Sequence, residues 1–338
     1  MITPSRHWRN RFAASSPSRA GAAVVAAVAL LAGPAAAAEF TVVATSKPIH
    51  SLVAGVMGAT GVPKLLVDGN SSPHTYAMKP SDARAVNQAK VFFRVSESLE
   101  PFTGKLVKSL PRSVQVVSLE DAPGVKLLDK RKGGAFERHD HGNTESARQR
   151  GHSHHDHDDD HSSSADHDPH IWLDPDNARA IVEHVSKTLS SANPEAASTY
   201  AANADAVKAG IAKLAADLEQ DLAPLRGRPF IVFHDATQYF EKRFGLEVAG
   251  TITVNPEVQP SAKRLNAIRS KISKLSAACV FAEPQFRSKL VDTVVEGTTA
   301  KTGTLDPEGG LLSPGPDLYA KLMYGLADNL KTCLGGAS

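Results

Sequence analysis

Short apolar runs alternate with amphipathic stretches along most of this chain. Phe40 to Ala44 reads as a strand that leads through Ser46-Lys47-Pro48 into an amphipathic stretch from Ile49 to Met57, closed by Gly58. Val62 to Val67 reads as the next strand, Pro80 to Ala89 as a helix, Val91 to Val95 as a strand, Pro101 to Leu110 as a helix and Val114 to Leu119 as a strand. The order repeats later: strand Phe230 to Phe233, helix Thr237 to Phe244, strand Leu246 to Val254, helix Ser261 to Leu275, strand Cys279 to Ala282, then helices Ser288 to Lys301 and Asp317 to Leu330. Strands alternating with helices across short turns predict an α/β fold, with parallel sheets flanked by helices in two lobes. The halves also echo one another. Lys79-Pro80-Ser81 opens a helix before Val91-Phe92-Phe93-Arg94-Val95, and Gln259-Pro260-Ser261 opens one before Val280-Phe281-Ala282-Glu283, each with Pro at or near the first turn.

Between the halves runs the longest helical stripe: Tyr200, Ala204, Val207, Ile211, Leu214, Leu218 and Leu222. Asn193 before Pro194 is read as its N-cap, and Pro224 with Gly227 as its end. A helix from Glu195 to Leu222 extends roughly 40 Å, so it is expected to join the lobes as a strut, the alternative being a long surface helix of one domain. The boundaries are then 39–192 for an N-terminal lobe, 193–224 for the linking helix and 225–338 for a C-terminal lobe.

The N-terminus departs from this pattern. Arg6, Arg9, Arg11 and Arg19 precede an apolar run from Ala20 to Leu31, and Ala36-Ala37-Ala38 offers a small-residue cleavage site, so residues 1–38 read as a secretory signal. The run is shorter than the ~20 residues of a membrane span. Removing the four Arg leaves 34 basic against 36 acidic side chains, a net charge of −2 with no basic stripe, which argues against a nucleic-acid surface. In an exported, oxidising compartment the even count of two Cys suggests a bridge between Cys279 and Cys333.

The 14 His are the other departure from ordinary composition. Eight of them, His139, His141, His152, His154, His155, His157, His161 and His167, fall within 139–168, where the only apolar side chains are Ala147 and Ala165. Such a tract cannot bury enough surface to offset the entropy of ordering, so it is expected to be a disordered loop inserted in the first lobe. Its imidazoles would make it an auxiliary, weak metal-collecting segment, against the alternative of a solvated spacer. His50 and His184 lie on helical stretches and read as ordinary structural histidines. His74 follows the turn-rich Asp68-Gly69-Asn70-Ser71-Ser72-Pro73, His170 lies in Asp168-Pro169-His170-Ile171-Trp172, and His234 directly follows the strand Phe230 to Phe233. Ligands of open α/β sheets gather where strand C-termini meet loops, which suits His74 and His234. The residues alone leave a three-His metal site open, since no local metal or nucleotide motif is present.

Longer motifs add a resemblance. Ser72-Pro73-His74 with Lys79-Pro80-Ser81-Asp82, Pro169-His170-Ile171-Trp172-Leu173, Phe233-His234-Asp235-Ala236 with Tyr239-Phe240, Val254-Asn255-Pro256-Glu257, Cys279 to Phe286, and Gly303-Thr304-Leu305-Asp306-Pro307 are similar to the ZnuA-type, zinc-binding subgroup of metal-specific ABC transporter substrate-binding proteins. The resemblance covers essentially the whole mature chain. It implies two α/β lobes joined by a long helix, a Zn2+ ion held between them, and zinc capture in the periplasm. Delivery to an inner-membrane ABC permease with its cytoplasmic ATPase is implied too, by a protein that is a monomer and not an enzyme. His74, His170 and His234 match the subgroup's three imidazole ligands and Asp306 its carboxylate position, with water as the alternative fourth ligand. Three imidazoles favour zinc over manganese. Pro73 stands where some zinc-binding members carry an acidic residue. The competing enzyme reading is a hydrolytic zinc centre with Asp235 or Glu283 as general base. A further rival is a metal buffer that uses the His-rich tract alone.

Overall fold

In the computed structural model the described residues are 40–131, 167–253, 256, 258–286 and 289–336. The expected signal and most of the His-rich tract lie outside them. The first half contains β1 (Val42–Ala44), α1 (Lys47–Met57), β2 (Lys64–Leu65), α2 (Pro80–Gln88), β3 (Val91–Arg94), α3 (Thr103–Ser109) and β4 (Gln115–Ser118). Two long helices follow, α4 (Pro175–Ala192) and α5 (Ala197–Leu222). The second half contains β5 (Phe230–Val232), α6 (Gln238–Phe244), β6 (Val248–Thr251), α7 (Ala262–Leu275), β7 (Cys279–Ala282), α8 (Lys289–Val295), β8 (Lys301–Thr304) and α9 (Leu318–Gly335).

All strands pair in parallel, in two four-stranded sheets ordered β2-β1-β3-β4 and β6-β5-β7-β8. Counted within its own half, each sheet has the same order, so the echo in sequence corresponds to a repeated topology. The central strands are covered on both faces and are accordingly continuous apolar runs: Val42, Val43, Val91, Phe92, Phe93, Phe230, Ile231, Val280 and Phe281 are all buried. In each sheet the chain leaves the first strand to one side and returns on the other, which opens a crevice beyond the β1/β3 and β5/β7 ends. The first crevice is filled by the buried Glu100, whose carboxylate accepts from Thr45 Oγ1 and from the backbone N–H of Val95 and Ser96. The second crevice carries chemistry.

Helix α5 packs against α1 and α4 of the first half and against α6 and α9 of the second, so it is a strut and not a surface helix of one half. Its stripe is buried at Tyr200, Ala204, Ile211, Leu214, Leu218 and Leu222. Leu218→Ala would remove a fully buried side chain at a cost of about 2–5 kcal/mol. Asn193 does not cap this helix. It ends α4 and donates from Nδ2 to Tyr200 Oη at 3.2 Å, and a short 3-10 turn, Pro194–Ala196, precedes α5. At the second echo it is Ser261 that caps α7, its side chain accepting from Arg264 N, while Pro260 lies outside the helix. The stretch expected to be one helix from Ser288 to Lys301 is instead α8 and the edge strand β8. Lys301-Thr302-Gly303-Thr304 has no apolar side chain and is a strand only because it pairs with β7. α4 carries the stretch with His184, and Asp174 caps it by accepting from Asp176 N.

The described residues form one compact unit. The halves are pinned by buried and part-buried polar contacts. Lys47 Nζ donates to the carbonyls of Gly310 and Leu312 at 2.7 and 2.8 Å, Trp172 Nε1 donates to Pro307 O at 3.0 Å, and Tyr319 Oη donates to Trp172 O at 2.9 Å. Cys279 and Cys333 are joined in a disulfide that ties β7 to α9. Closing a 54-residue loop contributes on the order of 4 kcal/mol by the chain-entropy argument. No helix among the described residues is long and apolar enough to cross a membrane.

Candidate metal centre

Three loops bring the three isolated histidines to one point. His234 lies just past the C-terminus of β5, and Glu283 immediately follows β7, so the two face each other across the second crevice. Glu283 Oε1 accepts from His234 N at 3.1 Å and from His234 Nδ1 at 2.6 Å. His170 precedes the short turn Ile171–Leu173, and Asp168 Oδ1 accepts both its backbone N–H, at 3.0 Å, and its Nδ1–H, at 2.7 Å. An ionised carboxylate oxygen can only accept, so the ring nitrogen bonded to it is the donor. In the neutral ring that places the proton on Nδ1 and leaves the Nε2 lone pair facing the cavity.

The inward nitrogens meet. His74 Nε2 and His170 Nε2 are 3.3 Å apart, His234 Nε2 and His170 Nε2 are 3.4 Å apart, and one ligand atom of each His lies within 4.8 Å of the others. The ring centroids form a near-equilateral triangle with sides of 5.3, 5.3 and 5.6 Å. A tetrahedral zinc with Zn–N bonds of about 2.0–2.1 Å requires N···N edges of about 3.3–3.4 Å. The two edges that meet at His170 therefore have the spacing of such a site, and the third is at most 4.8 Å. Asp129 and His167 form a separate isolated bridge at the root of the tract.

Electrostatics point the same way. Burial holds His74 and His170 well below the usual imidazole range, with neighbouring imidazoles adding to the effect, so both are neutral and able to ligate. In His234 burial also acts downward, but the Glu283 charge and hydrogen bond, with Asp235 and Asp168, outweigh it and raise the value. Burial pushes Asp168 up to about 7, opposed by the backbone N–H of His170. A cation placed among the rings would favour the ionised form of Asp168 and compete with protonation of His234.

The three rings differ in support. His170 and His234 are 2% and 3% exposed, whereas His74 is half-buried on a loop, with no carboxylate bonded to its ring among the described residues and its backbone N–H donating to Ser72 Oγ at 3.3 Å. That loop is latched to the second half where Asn70 Nδ2 donates to Pro284 O at 2.5 Å. The latch exists because residue 310 is Gly: a Cβ there would lie 2.5 Å from Asn70 Oδ1 and 2.7 Å from Gln285 Nε2. The turn carrying His170 is held by Tyr239, whose Oη donates to Asp168 O at 2.9 Å and accepts from Leu128 N at 3.0 Å.

Asp306 is not brought into the cluster. Its Oδ1 accepts from Gln285 Nε2 at 2.7 Å and its Oδ2 from Leu311 N at 3.2 Å, so it braces the latch loop instead. Of the His-rich tract, His139, His141, His152, His154, His155, His157 and His161 lie outside the described residues. His167 pairs with Asp129 at 3.6 Å, and Asp168, read from sequence as the end of a disordered tract, is buried and orients a ring. Glu283, weighed from sequence only as a general base, is likewise a ring-orienting group. His50 is the hydrogen-bonded core histidine expected, its Nε2 2.9 Å from Pro63 O. The cavity holding the three imidazoles has a volume of about 310 Å³ and is bordered by Lys130, Arg131 and Asp235.

A family described as the periplasmic component A of a zinc-uptake complex matches residues 42–333. A high-affinity zinc uptake system protein ZnuA of Brucella abortus is 47% identical over 304 residues, covering 87% of this chain and 91% of that protein. The protein of the same description from Paracoccus denitrificans is 37% identical over 322 residues, covering 94% of this chain and 99% of the relative. A crystal structure of a ZnuA superposes with a TM-score of 0.70 at 23% identity, covering 87% of this chain and 99% of that one. The Zn(II)-bound ZnuA-like domain of Streptococcus pneumoniae AdcA superposes with a TM-score of 0.64 at 22% identity, covering 87% and 98% of the two chains. These two structures share the fold.

Proposed function

This chain belongs to the ZnuA family of zinc-uptake components, and from that premise we propose that it captures zinc with high affinity in the periplasm and delivers it to an ABC importer. The observation that carries the reading is the convergence of the three imidazoles within 4.8 Å, with Asp168 and Glu283 orienting two of the rings. In this reading His74, His170 and His234 are the zinc ligands. In this reading water takes the fourth position, a choice supported by Asp306 bracing Gln285 and Leu311.

The ion is cargo, bound and released unchanged. The two carboxylate groups weighed as general bases are committed elsewhere: Asp235 is bracketed by Arg131, and Glu283 Oε1 holds His234. That supports capture over hydrolysis. We propose further that residues 1–38 are removed on export, that the partner is an inner-membrane permease with its cytoplasmic ATPase, that the protein acts as a monomer, and that its lobes are bounded as 39–192 and 225–338 about the linking helix; family membership supports the export and the transporter partner. The His-rich tract is proposed to raise the local zinc concentration and pass the ion to the cleft.

Equilibrium zinc titration of the mature chain tests this reading against the metal buffer. A deletion of residues 139–166 spares His167 and Asp168, which belong to the folded site. The deleted protein is expected to keep one tight zinc per chain, and His234→Ala to lose it. Loss of the tight zinc from a folded deletion protein would overturn the cleft site.

A further inference from the structure

An arginine bordering a cavity proposed to hold a dication needs a reason, because like charge disfavours the ion. Asp235 supplies one. It directly follows His234, and it borders the same cavity as the three imidazoles. A carboxylate oxygen is a harder donor than imidazole and suits manganese or magnesium better than nitrogen does. Arg131, entering from the first half, occupies that carboxylate: Nε lies 3.0 and 3.1 Å from the two oxygens and Nη2 lies 2.5 Å from Oδ1. The other edge of the same guanidinium holds Glu241, at 2.8 Å from Nη1 and 3.1 Å from Nη2, and Thr237 Oγ1 donates to Glu241 Oε1 at 2.6 Å. A planar fork fixed on both edges by carboxylates has little freedom to rotate away.

We propose that Arg131 is a positioning residue that sets the metal preference of the three-His site, by withholding the Asp235 carboxylate from it. The inference rests on the reading of His74, His170 and His234 as zinc ligands. With Asp235 engaged, an entering ion meets imidazole nitrogens and water, a donor set that favours zinc. With Arg131 removed, Asp235 can turn toward the ion and add a hard oxygen, which lifts manganese more than zinc.

The test is competition titration of the mature protein with zinc and with manganese, together with the visible absorption of the cobalt(II)-loaded form. Arg131→Met is expected to lower the zinc-to-manganese affinity ratio by roughly ten-fold or more, in the range seen when a group around a metal site is changed. The cobalt bands should weaken as coordination rises above four. Arg131→Met with Asp235→Asn should restore the ratio to within about three-fold of wild type, as a second alteration that removes the cause of the first. An unchanged ratio in folded Arg131→Met, or a lowered ratio that Asp235→Asn does not restore, would overturn the proposal. Should Arg131→Met not fold, Asp235→Asn alone still decides: a withheld carboxylate predicts zinc affinity within about three-fold of wild type, and a loss of ten-fold or more would make Asp235 a direct ligand. Wild-type protein and His234→Ala separate the two levels. If wild type binds no zinc, or His234→Ala binds as tightly, the three-His reading itself has failed. If both behave as expected and Arg131→Met keeps its ratio, only the role of Arg131 is lost.

Discussion

Glu283→Ala isolates what orientation contributes to zinc capture. The Glu283 carboxylate touches His234 through Oε1 alone, taking the backbone N–H at 3.1 Å and Nδ1–H at 2.6 Å. Truncation leaves both donors buried without their acceptor and lets the ring take either tautomer, so part of the population presents a protonated Nε2 to the cavity. Loss of a partner that orients a ligating His typically costs 10–100-fold in metal affinity, or about 1.4–2.8 kcal/mol. Glu283→Gln keeps an acceptor oxygen and loses only the charge, so its loss should be the smaller of the two, within about ten-fold. The assay is competition against a chromophoric chelator, with melting of the zinc-free protein to show that each variant is folded. A folded Glu283→Ala protein that binds zinc within about two-fold of wild type would refute the argument that a buried carboxylate sets the ring's tautomer.

The Asn70 latch should act on rate more than on affinity: Asn70→Ala, or Gly310→Ala, whose Cβ would collide with Asn70 Oδ1, is expected to speed zinc release several-fold in stopped-flow chelation, and an unchanged release rate would remove the latch from the account. Trp172 is the only Trp after residue 38 and its ring lies 5.5 Å from that of His170, so its emission should shift at stoichiometric zinc; a silent spectrum at saturation would contradict binding at His170. Zinc affinity should fall as pH is lowered, beginning above 6.5 because the pKa of His234 is raised and its proton then competes with zinc, while His74 and His170 stay neutral to lower pH. An affinity constant between about pH 8 and 5 would contradict that order of protonation.

Much of this architecture is legible in the chain because buried parallel strands are apolar on both faces: Val91–Arg94, Phe230–Val232 and Cys279–Ala282 can be read almost to the residue. β8 could not be read that way, since Lys301–Thr304 is an exposed edge whose strand character comes from its neighbour. Asn193 has the side chain of an N-cap but spends it on Tyr200, a tertiary choice that local pattern does not encode. The three His stood out because each sits in a turn after a strand or beside a Pro. Asp168 was hidden by its acidic, His-rich neighbours, and only its burial and its bonds to His170 reveal its role. Asp306 shows the reverse: a motif position suggested a ligand, and the packing of the loop from Gly309 to Leu312 on Lys47 leaves it bonded to Gln285 and Leu311.

The most direct measurement is a crystal structure of the zinc-loaded mature protein with data collected on both sides of the zinc absorption edge. The account predicts a single strong anomalous peak inside the cleft, about 2.0–2.1 Å from Nε2 of His74, His170 and His234. A peak elsewhere, or those three rings turned apart with no zinc among them, would contradict it.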